Sequence, residues 1–566
     1  MEKRGGAMYC IPVPERNAAH KLKLRINLIT KKMMKSKPGE TRTACKYPGR
    51  SNLRRMGMTV FCCLFLVTGL FAVDTNVPLP EGDGVKGVSQ AGKRQISGTV
   101  VDETGEPVIG ANVLEKIVDG VHQMSEEERY VPPKDPEVLK KLEWFKDQKL
   151  GLMMHWAPAS QYGLFESWPL CDEEDQKWEH SEITWTDDLE EFYRQYEYAP
   201  KTFNPIKFRP DRWASLAASC GFKYLLFTTK HCDGFCMFDT KTTDYRITAP
   251  DCPFSTHKYA DITGSLFSAF RNAGLGIAAY QSKADWHDQD YWSEDFPMTR
   301  GRGPNYSIKE HPEKWERYVQ RVHEQYREVC SKYGQIDVLW LDDGWISAED
   351  LRLGELIDGI RATTQPGMIS ANRSGREYED FLTPEQTIPS EPIRVPWETC
   401  MTLGNYWGHH YTENYKSARN LVHILIDIVS KGGNLALGIG PQPDGELPAG
   451  AMLELRRMGR WLGVNGEGIY GTRIAEGFIK NSQVKCTCKG NTVYAFSLYD
   501  DFASPGRHIE VSMDGDAAKS GVASVTLLRN GQNVPFERTK NGIILKTADI
   551  DFNGAEYADC FVIQLE

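Results

Sequence analysis

A chain of 566 residues with 40% hydrophobic and 25% charged residues is long enough for more than one domain and ordinary for a globular protein. Its net charge of -10 removes any electrostatic footprint for nucleic acid. Fourteen scattered cysteines show no repeating spacing, and no second pair answers Cys486-Thr487-Cys488, so neither a disulfide framework nor a structural metal is expected, while 24 Tyr and 14 Trp supply the aromatic platforms that carbohydrate sites use.

Residues 1–55 are basic, without a hydrophobic period. Residues 58–73 form an unbroken apolar run behind Arg54-Arg55, shorter than a spanning helix needs. The reading is a secretory signal over 56–75, with an uncleaved anchor as the alternative; Cys62 and Cys63 lie inside the run, which disfavours a lipoprotein. The preceding 55 residues then reflect an upstream start codon, and a periplasmic or extracellular location follows. Residues 76–132 read as a linker. Within it, 95–113 pattern as a hairpin that resembles the opening of the carboxypeptidase-regulatory-like β-sandwich; only that opening is present, so no full domain is expected.

From 133 to 472, strand candidates alternate with helical patterns: 150–155, 224–229, 275–281, 338–342, 368–372 and 434–439. That alternation predicts a parallel (β/α)8-like barrel. The helix before 338–342 is strongly marked, with Trp315, Tyr318, Val319, Val322, Tyr326 and Val329 at helical spacing after Pro312. From 473 to 566, short β runs separated by Asn530-Gly531 and Asn541-Gly542 predict an antiparallel β-sandwich.

Chemistry is expected at the carboxyl ends of the barrel strands. The fourth run breaks into Trp340-Leu341-Asp342-Asp343-Gly344-Trp345, two carboxylates beside indoles that can stack on a sugar. The plainer reading is an acidic loop capping the next helix. Other strand ends carry His155-Trp156, Lys230-His231-Cys232-Asp233-Gly234-Phe235, the stretch from Tyr280 to His287, and Asn372-Arg373. None of these histidines has the short helical spacing of a zinc motif, so hydroxyl recognition is the better reading.

These motifs resemble, in order, those of glycoside hydrolase family 29, the α-L-fucosidases. The resemblance rests on Trp144-Phe145 with Lys149-Leu150-Gly151-Leu152 and His155-Trp156, on the His231 and Asp342 motifs, and on Gly432-Gly433-Asn434-Leu435-Ala436-Leu437-Gly438-Ile439-Gly440-Pro441. It implies a retaining exo-hydrolase of terminal α-linked fucose on an oligosaccharide or glycoconjugate, needing no cofactor and no metal. Asp342 would be the nucleophile. His155, Glu166, Trp168, His231, Cys232, Tyr280, Trp340, Arg373 and Trp407 would form the substrate site. The acid/base would be Glu385, following Arg373 as in bacterial members; Glu398 is the runner-up, with Trp397 as an apolar wall, and Glu391 is weaker. Three positions depart from the family pattern: Cys232 stands for a usual His, Gly438 for an Asn and Ala157 for a Gly. A thiol donates poorly, so Cys232 is expected to leave one hydroxyl unpaired, and Cys232→His to raise kcat/KM on fucosides. The alternatives are an exo-glycosidase for a related sugar such as L-galactose and a non-catalytic sugar-binding relative.

Overall fold

The computed structural model describes residues 130–164, 166–173, 177–374, 377–478, 483–499, 508–552 and 554–566. All lie in the second of two compact units, Val118–Glu566; the first, Met1–Ile117, lies outside the described residues, as do the basic extension, the signal segment and the hairpin at 95–113.

Asp135 caps the first helix, α1 (Pro136–Gln148), by accepting from the Glu137 backbone N–H, and Pro136 sits at its first position. The helix delivers the chain to β1 (Leu150–Met154), and six further strands follow: β2 (Tyr224–Lys230), β3 (Gly276–Ser282), β4 (Val338–Asp342), β5 (Ile369–Ala371), β6 (Glu398–Thr402) and β7 (Asn434–Ile439). Their order is β5-β4-β3-β2-β1-β7-β6, and every pair is parallel. Between them lie α2 (Leu189–Tyr198), α3 (Pro210–Ser219), α4 (Ile262–Asn272), α5 (Pro312–Lys332), α6 (Leu353–Thr363), α7 (Ala418–Ser430) and, after β7, α8 (Ala449–Asn465). All residues of β1, β2 and β7 are buried, which is why they read as continuous apolar runs.

Two elements of this sheet escape the sequence pattern. β6 carries Glu398, Thr399 and Thr402 among its buried residues, so no apolar run marks it. The gap between β5 and β6 is spanned by residues 380–386. Asp380 N–H donates to the Ser370 carbonyl on β5, while Leu382 and Gln386 donate to Pro396 and Cys400 and accept, through Leu382 and Pro384, from Glu398 and Cys400. Pro384 removes a donor, and the pairing reduces to isolated bridges at Leu382–Trp397 and Glu385–Cys400. This irregular segment links the ends of the seven-stranded sheet, and Glu385 sits near its carboxyl end.

Beyond α8 the chain forms two antiparallel sheets. The larger has six strands, β8 (Arg473–Ile474), β9 (Val484–Lys489), β10 (Thr492–Leu498), β12 (Val522–Leu527), β13 (Gln532–Asn533) and β16 (Ala558–Leu565); the smaller has β11 (His508–Ser512), β14 (Phe536–Thr539) and β15 (Gly542–Lys546). Both Asn-Gly pairs sit at hairpin turns, β12–β13 and β14–β15, and Gly531 has φ +70°. Val493, Val525 and Phe561 of the larger sheet share one apolar cluster with Val511, Ile543 and Leu545 of the smaller. Trp461 Nε1 donates to the Ala558 carbonyl at 2.8 Å and His423 Nε2 meets the Tyr557 carbonyl at 2.8 Å, so α7 and α8 anchor this region to the barrel.

Candidate active site

Asp342 ends β4, and Trp340, two residues earlier, shares its inward face. Register pairs Trp340 with Tyr280 on β3, and their rings stack at 5.2 Å. The Tyr280 hydroxyl donates to Asp342 Oδ2 at 2.5 Å, and the Asp343 N–H donates to Oδ1 at 2.8 Å. Arg373, just past β5, lies with its guanidinium 5.0 Å from the Trp340 ring centre. Its Nε is 3.4 Å from Asp342 Oδ1, and its Nη2 donates to Glu385 Oε2 at 2.8 Å. One buried cation therefore touches both carboxylates. Burial alone would raise the Asp342 pKa, but Arg373 and the Tyr280 hydroxyl outweigh it and hold the group near 2.

The backbone is strained at this place. Among the described residues eight non-glycines have positive φ, and four of them, Glu166 (53°), Asp343 (74°), Arg373 (55°) and Gln386 (51°), lie in or beside the site. Strain of this kind persists where surrounding contacts over-determine it. Lys283 is one such contact. Its buried ammonium donates to the Ile346 and Asn372 carbonyls, each at 2.7 Å, and to Ser374 Oγ at 2.8 Å, tying the turns after β4 and β5 together. Burial lowers its pKa to about 8. Nothing in the local sequence marks Lys283 for this task; only the meeting of three loops defines it.

The wall beside Asp342 comes from β1, β2 and the long β1–β2 connection. His231 Nε2 lies 3.1 Å from Glu166 Oε2, and His155 Nε2 lies 3.9 Å from Oε1. Buried Ser167 bonds the other nitrogen of His231, a partner the sequence does not announce. The Glu166 interaction outweighs burial and raises the His231 pKa to about 9, whereas burial lowers that of His155. His155 packs at 5.3 Å against both Tyr280 and Trp407. Trp407 fits because residue 438 is glycine: a Cβ there would lie 2.7 Å from the indole, so an Asn cannot share this arrangement. His155, Glu166 and His231 bring ligand-type atoms within 4.8 Å of one another, the one such group among the described residues with metal-like spacing. The unpaired His155 Nδ1 and Glu166 Oε1 equally suit the alternating donors and acceptors of a sugar. Trp168 stands at the lip, edge-on to Trp286 and Trp345.

Four readings of the sequence are corrected by position. Cys232 has no exposed surface; its thiol faces Asp343 Oδ1 at 3.2 Å and Ser282 Oγ at 3.5 Å, so it packs behind the site instead of opening onto it. Glu398 begins β6, at the amino end of the strand, and accepts from the Tyr224 hydroxyl and from Trp340 Nε1 at 3.2 Å. It meets the indole at its N–H edge, whereas Arg373 lies over the ring face. Burial with no cation raises its pKa to about 7. Glu391 is exposed, two residues before Ile393 bonds the end of the α7–β7 turn at Lys431. The acidic pair does not cap the following helix either: α6 starts at Leu353, and Asp343 instead accepts from the Ala284 N–H at 2.7 Å.

A parallel α/β barrel with an ionised carboxylate at a strand mouth, a second carboxylate across a shared arginine and indole walls defines a glycoside hydrolase. The sequence model described as alpha-L-fucosidase matches residues 118–467, and the chain belongs to that family. An alpha-L-fucosidase of Dictyostelium discoideum is 24% identical over 71% of this chain and 87% of its own length. Alpha-L-fucosidase isoenzyme 1 from Paenibacillus thiaminolyticus superposes with TM-score 0.62 at 28% identity, covering 76% of this chain and 100% of its own. The Thermotoga maritima alpha-fucosidase in complex with fucose gives TM-score 0.60 at 26% identity, over 78% and 99%.

Proposed function

We propose that this chain is a retaining exo-α-L-fucosidase acting by double displacement, with Asp342 as nucleophile and Glu385 as acid/base. The observation that carries the reading is the single guanidinium of Arg373 ion-paired with both carboxylates beside the Trp340 ring. Asp342, held near a pKa of 2, is ionised at every working pH and ready to attack the anomeric carbon. Glu385, with a quarter of its side chain exposed and thus open to an incoming substrate, passes a proton to the leaving oxygen. Departure of the aglycone leaves a fucosyl ester on Asp342 and an ionised Glu385, which then takes a proton from the incoming water. His155, Glu166, His231, Tyr280, Arg373 and Trp407 hold the ring of the fucose; the similar Thermotoga maritima alpha-fucosidase was solved in complex with that sugar. The substrate is a fucosylated oligosaccharide or glycoconjugate.

Two replacements test the assignment. Asp342→Asn is expected to lower turnover of every fucoside by at least about a thousandfold. Glu385→Ala is expected to slow fucosides with poor leaving groups by roughly 10²–10⁴, far more than activated aryl fucosides, with azide rescuing the variant as α-fucosyl azide. Leaving-group dependence in Glu398→Ala and not in Glu385→Ala would reverse the roles.

Export is inferred from the signal-like segment at 56–75. The mature chain is expected to begin shortly after Ala72, outside the cytoplasm and without stable membrane attachment. Amino-terminal sequencing of secreted material checks this, and a full-length cytoplasmic product overturns it.

A further inference from the structure

Three loops at the carboxyl end of the barrel converge on a cluster that the hydrolytic machinery does not use. The β1–β2 connection contributes Trp168 and Glu173, the loop after β3 contributes Trp286, Trp292 and Arg302, and the turn after β4 contributes Trp345. Trp286 and Trp292 stack at 5.0 Å with only 4° between their planes, and both are buried. Trp168 meets Trp286 at 5.6 Å and Trp345 at 5.9 Å, edge to face. Of these four indoles Trp345 is the exposed one, at 36%. Its exposed ring is the surface end of an aromatic cluster and not a lone surface side chain.

The ring of Trp345 is also fixed in direction. Its Nε1 donates to the Tyr291 hydroxyl at 3.2 Å, and that hydroxyl donates to the Arg302 carbonyl at 2.6 Å. The indole N–H is therefore used inside the protein, which leaves only apolar ring surface for solvent. A face held this way loses little conformational freedom when it is covered. Beside it, Arg302 stands over Trp168 at 5.5 Å and pairs with Glu173, whose carboxylate also accepts from the Arg302 N–H at 2.7 Å. An open apolar face next to a charged pair matches a pyranose, which offers one face of C–H groups and a ring of hydroxyls.

We infer that Trp345, positioned by Tyr291 and flanked by the Arg302–Glu173 pair, is the platform for the sugar that leaves: the hexopyranose to which fucose is attached. The inference rests on the proposed fucosidase activity and assigns a residue to the sugar that leaves. Trp345 follows Asp342 by three residues, so its backbone lies within about 11 Å of the nucleophile. The floor and inner wall, Trp340 and the His155–Glu166–His231 group, serve the fucosyl ring. The platform stands at the mouth, where the next sugar of a chain must lie. The enzyme is thereby matched to fucose on an oligosaccharide in preference to small or alkyl leaving groups.

The test compares two kinds of substrate on the full-length enzyme. Fucosyl fluoride has no leaving sugar; fucosyl disaccharides ending in galactose or N-acetylglucosamine have one. Trp345→Ala is expected to lower kcat/KM on the best-cleaved disaccharide by about tenfold, equivalent to about 1.4 kcal/mol. Its change on fucosyl fluoride is expected to stay within about twofold. Trp345→Phe, which keeps a stacking face, should retain most disaccharide activity, and Tyr291→Phe, which frees the indole to turn, should fall between. Equal losses on both substrates would overturn the inference, as would an undiminished disaccharide rate in Trp345→Ala. A wild-type enzyme that cleaves fucosyl fluoride but no disaccharide would also overturn it. Failure of the wild type on fucosyl fluoride itself would instead sink the parent fucosidase reading.

Discussion

The two ends of the sheet beside Trp340 hold the same chemical group in opposite states. At the carboxyl end, Asp342 faces the Arg373 guanidinium and the Tyr280 hydroxyl, and its pKa falls to about 2. At the amino end, Glu398 faces only neutral donors, the Tyr224 hydroxyl and the Trp340 indole N–H, and its pKa climbs to about 7. Both carboxyls lose most of their water. What separates them is a cation, because hydrogen bonds from neutral groups do not repay the desolvation of a charge. A raised pKa at a barrel strand thus does not by itself mark a general acid; the carboxyl must also lie at the carboxyl end of its strand.

Removing the cation should make Asp342 behave like Glu398. Arg373→Met is expected to raise the Asp342 pKa, so an acid limb should enter the kcat/KM profile within the ordinary carboxylate range or above it. The wild type should show no limb from Asp342 above about pH 3. The accompanying loss at the pH optimum is expected to be about a hundredfold. An unmoved acid limb would mean that burial and Tyr280, not Arg373, set the state of Asp342.

Glu398→Gln sharpens the contrast from the amino end through stability. The Glu398 pKa is raised on folding, so the folded chain holds a proton that the unfolded chain has released between about pH 4.5 and 7. Stability is therefore lost as pH climbs through that window, and the deficit is complete above 7. Glutamine carries no such deficit. The variant should melt higher than the wild type at pH 8, by on the order of 2 kcal/mol, and differ little at pH 4.5. Scanning calorimetry at the two pH values reads this directly, and a variant less stable at pH 8 would break the comparison.

The smallest effects belong to Cys232. Its position behind Asp343 reverses the expectation of a gain from histidine. Cys232→His must place a larger ring in a filled space and should cost about 1–3 kcal/mol of stability. Cys232→Ser keeps a donor toward Asp343 and should change stability by less than about 1 kcal/mol. Improved turnover in Cys232→His, with stability intact, would return this residue to the sugar site.

The amino-acid sequence by itself determined the parallel α/β class, because apolar runs such as Leu150–Met154 and Asn434–Ile439, alternating with helical patterns, suit strands buried on both faces. It likewise determined the two Asn-Gly turns and the strand end that carries Asp342. It could not reveal β6, whose buried positions include Glu398 and two threonines, since a polar residue paired inside a barrel leaves no hydrophobic period to read. The link between β5 and β6 was hidden for a related reason: Pro384 breaks the pattern of a strand while leaving room for its bridges. Only the tertiary structure decided that Glu385 and Asp342 share one arginine, that Cys232 faces Asp343, and that Ser167 and Lys283 hold groups far from them in sequence. Pairings across tens of residues are set by where strands end in space, and local periodicity carries no record of that distance.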